Sequence, residues 1–168
     1  MVKSALIRRL HLPDACILLG FVTETLVQVP TVVRPSELKD RTALFARRVV
    51  EFCVPLFDRA ATRSIADQLL RSGTAVDANY GSAQCARSPA EFVARIGLVV
   101  DDVNEAKGWL ELIRGSSVVA DSEELQWLVI ESLELTKILV SSFGTAKRNE
   151  ERRKLLEGAK RKRSRDAR

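Results

Sequence analysis

The chain is short of the residues that carry most protein chemistry. It has a single histidine, His11, and three cysteines, Cys16, Cys53 and Cys85, with no paired spacing. An odd, scattered set of thiols argues against a disulfide framework or a zinc site. It suits a reducing cytosol, with the thiols serving as small buried apolar residues. His11 has no nucleophile in an ordered motif beside it, so no catalytic base is expected there. No glycine-rich phosphate loop is present. Aromatic residues are only 5% of the chain, so the core must be built from Leu, Val, Ile and Ala. That favours helix-on-helix packing, although the Val-rich stretches leave some room for strands. No apolar run is long enough to cross a bilayer. The run Ala15–Val22 follows basic residues as a secretory leader would, but Thr23-Glu24-Thr25 breaks it and no small-residue cleavage site follows. Neither a leader nor a membrane span is expected, and neither are a cofactor, a resident metal or an enzymatic activity.

What is present is a helical pattern. With 168 residues, 46% of them apolar, the chain can bury one real core. The clearest stretch runs from Gln68 to Ile113. There Phe92, Ile96, Val99, Val103, Ala106, Leu110 and Ile113 step by fours and threes, the seam of a helix packed lengthwise on other helices. Ser88-Pro89-Ala90-Glu91 is a capping-box start for that helix, and Gly115 is a fitting stop. Before it, a helix capped by Thr62 would carry Ile65, Leu69, Ser72, Val76 and Tyr80 on one face. Gly73 within it weakens the helix, and a close neighbour would explain its presence.

The first helix is expected from a Ser36 cap to about Ala60, with Phe45, Val49, Phe52 and Leu56 inward, Arg47, Arg48 and Glu51 outward, and a kink at Pro55. The fourth starts at Asp121 or Ser122 and aligns Leu125, Leu128, Ser132, Leu135, Leu139 and Ser142, a seam widened by Val129, Leu133 and Phe143. It either ends near Gly144 or continues through Glu150–Leu156. The fold class is all-α: an antiparallel, up-down-up-down four-helix bundle over residues 36–146. Residues 1–35 form an arm of uncertain order. Residues 147–168 form a basic tail, expected to be mobile from Gly158 on, with eleven Lys/Arg against four Asp/Glu. Its balance of +7 leaves −2 for the other 146 residues of a chain whose net charge is +5.

Gln68, Leu69, Arg71, Ser72, Gly73, Thr74, Val76, Ala78 and Asn79, followed by Phe92, Glu105, Trp109, Leu110 and Leu112, form a pattern across the two central helices. It resembles the bacterial four-helix-bundle proteins of 23S ribosomal RNA intervening sequences, over roughly residues 38 to 146. The resemblance implies a homo-oligomeric ring, typically a pentamer. It also implies kinship with the accessory variability determinant of diversity-generating retroelements, which binds a reverse transcriptase and nucleic acid. This chain departs from the family pattern at Ala75 and Ser82, and it has Asp101-Asp102 where relatives often carry Lys-Glu. The bundle wall is thereby more acidic, which moves any nucleic-acid contact towards the tail.

The candidate residues follow. Lys147, Arg148, Arg152, Arg153, Lys154, Lys160, Arg161, Lys162, Arg163 and Arg165 can contact phosphates of RNA, or of DNA. Gln68, Arg71, Asn79, Glu105 and Trp109 are expected in polar contacts between helices, with Arg71 meeting an acid such as Glu105. Trp109 and Trp127 read as packing anchors. Asp101, Asp102 and Glu105 read as a solvated or ion-paired acidic face rather than a cation site. The expected function is a non-enzymatic cytoplasmic assembly protein that associates with nucleic acid, chiefly RNA, through its tail. The alternative is a scaffold that binds a protein such as a reverse transcriptase without touching nucleic acid.

Overall fold

The computed structural model describes residues 35–116 and 118–166. His11, Cys16, nearly all of the expected N-terminal arm and the side chain of the expected cap Ser36 lie outside the described residues. The helices are α1 (Pro35–Cys53), α2 (Ala60–Gln84), α3 (Pro89–Ser116) and α4 (Glu123–Asp166), with a 3-10 turn at Val54–Leu56. Among the described residues there is no strand.

Each helix packs on the next and α1 packs on α4, while diagonal pairs do not meet. This is the contact pattern of four rods in a square. Arg41 pairs with Glu131 and Arg48 with Glu124, so α1 and α4 run in opposite directions. Thr42 bonds Asp77, and Gly73 faces Val49, which sets α2 against α1 in the same sense. Short links between α2 and α3 and between α3 and α4 turn the chain back twice more.

The seams sit where the four-three spacing puts them. Phe45, Val49 and Phe52 of α1, Leu69, Val76 and Tyr80 of α2, Ile96 to Ile113 of α3 and Leu125, Leu128, Leu135 and Leu139 of α4 are buried. Ser72 and Ser132 also lie in the seams, and each hydroxyl donates to a carbonyl of its own helix, Gln68 and Val129 respectively. That satisfies a polar group in the core without a partner from another helix. A Cβ on Gly73 would lie 2.8 Å from Val49 Cγ1, so the glycine marks a close approach of α2 to α1.

Three expectations at helix ends and surfaces are corrected. Pro55 does not kink a continuing helix; it ends one. It lacks the N–H that would bond the preceding turn, so α1 stops at Cys53 and the chain tightens into the 3-10 turn. Thr62 does not cap α2. It is buried inside the helix, where its hydroxyl donates to the Leu56 carbonyl at 2.6 Å and so ties α2 to the turn before it. The α2 N-cap is Arg59, extended and without a side-chain bond. Cys53 is buried, and burial pushes its thiol up to about 12. Cys85 is exposed in the α2–α3 link, so the expectation of buried thiols fails there. At α3 the start is as expected: Ser88 Oγ accepts the Glu91 N–H at 3.1 Å. The Glu91 carboxylate accepts the N–H of Arg87, one residue before the usual box position, and that bond holds its carboxyl below the usual range. α4 begins at Ser122, whose Oγ accepts the Leu125 N–H.

Candidate nucleic-acid interface

The polar residues expected between helices divide into those that bridge and those that do not. Asn79 does: its amide donates to Asp102 at 2.7 Å, from α2 to α3. Burial raises the Asp102 carboxyl above its ordinary value, against the help of that bond, and Glu105 and Asp101 push the same way. Arg71 does not bridge. It is exposed and pairs with Asp67 one turn back on α2, so the expected Arg71–Glu105 pair is absent. Glu105 instead accepts the indole N–H of half-buried Trp109, again on its own helix. Gln68 contributes its carbonyl to Ser72.

The bridges that close the bundle use other residues. Arg41 holds Glu131 with two bonds, at 2.8 and 2.9 Å. Arg48, expected on the outer side, grips both oxygens of Glu124 and lies 3.8 Å over the Trp127 ring. At the α1–α4 seam its guanidinium meets a carboxylate and an aromatic face together. A signal for these pairs was in the spacing. Arg41 and Arg48 are seven apart, as are Glu124 and Glu131, and each immediately precedes a buried seam residue. Charges flanking a heptad seam pair across helices.

The larger difference is at the C-terminal end. The expected tail is the last part of α4, which runs 44 residues, about 66 Å. The inward stripe of α4 runs 128, 132, 135, 139, 142 and 146, then keeps its spacing at Glu150, Arg153 and Glu157. The stripe thus changes from apolar to charged where the bundle ends. Glu150 is still buried, and beyond it, with no apolar seam left to bury, the helix continues in solvent. Local ion pairs support it. Arg153 bonds both oxygens of Glu150 at 2.8 and 2.9 Å and reaches Glu157 at 2.6 Å, and Lys154 stands 3.6 Å from Glu150. The bond from Arg153 holds the Glu150 carboxyl below its ordinary value. Mobility was expected because no apolar seam remains, but helix continuity needs none once α4 has supplied the nucleus.

The ten candidate cations are therefore not equivalent. Arg153 and Lys154 are engaged with Glu150 and Glu157. Lys147, Arg152, Lys160, Arg161, Lys162, Arg163 and Arg165 have no carboxylate within ion-pair distance among the described residues, and Arg148 contacts only the Thr145 hydroxyl. Every residue from Glu151 to Asp166 is exposed. Five of the six residues Lys160–Arg165 are cationic, and this density lies about 20 Å along the axis beyond Ala146.

The outer faces of the bundle carry a second pattern. Leu98 and Leu112 on α3, and Ile130, Leu133 and Val140 on α4, are exposed opposite the buried seams. Among the described residues no helix is long and apolar enough to cross a membrane.

No protein-family model matches the chain, and no curated protein matches it. Among solved structures it is similar to a protein of unknown function from the S23 ribosomal protein family of Bacteroides thetaiotaomicron. The identity is 30% and the TM-score 0.58, over 63% of this chain and 97% of that one.

Proposed function

This chain belongs to the S23 ribosomal protein family, and from that premise we propose that it is a non-enzymatic, self-assembling bundle that associates with nucleic acid through the extension of α4. One observation carries the reading: beyond Glu150 every described residue of the helix is exposed, and it ends in a block of cations that no carboxylate among the described residues neutralises. Lys and Arg so placed exchange condensed counterions for phosphates, the main source of affinity for nucleic acid. The neighbour's family is labelled ribosomal, which is in keeping with RNA as one such ligand. The exposed apolar stripes on α3 and α4 support self-assembly, in a closed ring of which the pentamer is the form the family resemblance implies. Copies of the extension on one ring would add avidity.

A salt titration tests this. With five tip cations on phosphates, the logarithm of affinity should fall against log salt with a slope of about −4.5 per extension for a labelled DNA duplex and about −3.5 for a single strand of RNA or DNA. Deleting residues 147–168 should flatten the slope towards zero. Unchanged binding by the truncated chain would sink the reading. It would favour the scaffold alternative, in which the exposed stripes Leu98–Leu112 and Ile130–Val140 receive a protein partner such as a reverse transcriptase.

A further inference from the structure

Two features of the extension discriminate between forms of nucleic acid. The first is how its charges are distributed round the axis. At about 100° per residue, Lys160, Arg161, Lys162, Arg163 and Arg165 fall on all sides of the helix, and all are exposed. No carboxylate interrupts them between Glu157 and Asp166. A helix ringed by cations is matched by a ligand that places phosphates along both its flanks. The major groove of B-form DNA, about 12 Å wide, admits a helix about 10–12 Å across between two phosphate rows. The major groove of A-form RNA is too narrow and deep for this.

The second feature is what the extension lacks. Phe143 is the last aromatic residue of the chain. Single strands are held chiefly by stacking bases on aromatic side chains, so the extension has no platform for them. After Phe143 the only side-chain amide is Asn149, which is at least ten residues short of the basic tip. Base readout by amides is therefore absent where the charge is concentrated.

We propose, resting on the nucleic-acid reading above, that the extension binds duplex DNA as a preformed helix lying in the major groove, through phosphates and without sequence preference. The tip Lys160–Arg165 makes the contact. Because α4 nucleates the helix, little ordering is left for the moment of binding. The near-balanced stretch from Lys147 to Glu157, with five cations and three carboxylates, acts as a rigid spacer that holds the duplex away from the bundle.

The test uses the full chain and fluorescence anisotropy at 100 mM salt, with labelled 20-base-pair DNA duplexes of two unrelated sequences, the matching RNA duplex and the single strands. We expect the two DNA duplexes to bind alike, and at least tenfold more tightly than the RNA duplex or either strand. Two variants keep the charge and change only the helix. Ala159→Pro breaks it ahead of the tip and should weaken duplex binding at least tenfold, with thermal melting of the bundle unchanged. Gly158→Ala, where an added Cβ meets nothing within 4 Å, should tighten it about two- to threefold. Equal affinity for all probes, a preference for RNA or single strands, or indifference to Ala159→Pro overturns the groove proposal and leaves nucleic-acid binding standing. Absence of binding to every probe overturns both.

Discussion

Single residues do two kinds of work in this bundle: they set how near helices come, and they close the seam between α1 and α4. Gly73 shows the first. An alanine there would normally strengthen a helix by about 1 kcal/mol. Here its Cβ would press on Val49, a β-branched residue with essentially one rotamer in a helix and no room to yield. Gly73→Ala should therefore destabilise by about 1–2 kcal/mol in urea melts. The double variant with Val49→Ala should be more stable than the sum of the two single losses; strict additivity would show that the contact is not the cause. Arg48 shows the second. Its pair with Glu124 and its stack on Trp127 are partly shielded from solvent, so Arg48→Ala should cost about 1–2 kcal/mol. Arg48→Lys should restore less than half, because an ammonium can neither fork nor lie flat on the ring. Full restoration by lysine would reduce the contact to plain charge attraction.

Among the elements, α4 is the one whose behaviour changes along its length. Its first part is held by neighbours, and its last part by its own ion pairs. That difference has a pH signature. The folded Glu150 carboxyl titrates below its ordinary value near 4.5, so its contribution is fully present above that value. It is lost as pH falls through the lower, folded value, when Arg153 and Lys154 lose their partner. The helix content of residues 147–166 should drop on acidification below about pH 4.5. It is measured as the far-UV circular dichroism of the full chain minus that of a chain ending at Ala146. A difference spectrum that holds steady down to pH 2 would show that propensity alone sustains the extension. Helix starts at Ser88 and Ser122 were legible because a cap depends only on the residues beside it. The end of α1 was not, although Pro55 was plain to read. Proline both kinks and terminates helices, and which outcome wins depends on whether the next turn has something to pack against.

At the scale of the whole molecule, the exposed stripes of α3 and α4 bear on assembly. Sedimentation equilibrium should show a closed oligomer at tens of micromolar protein. Ile130→Lys with Val140→Lys should shift the protein towards the single subunit while changing subunit stability by no more than about 0.5 kcal/mol per site, since both side chains are exposed. A wild-type chain that sediments as one subunit would refute self-assembly. The bundle itself could be read in advance, since apolar residues at four-three spacing must be hidden and four helices of moderate length hide them best against one another. Asn79 was identified as a bridging residue, but its partner Asp102 was not. Arg71 was assigned to a bridge it does not make, because residues four apart on one helix pair before any residue on another helix can reach them. Spacing along a chain states which face a residue shares. It does not state which neighbouring helix stands opposite, how far along that helix lies, or where the last rod outruns the rest. Those depend on the packed arrangement of all four helices, and the solvated basic helix at the end of α4 is its largest consequence.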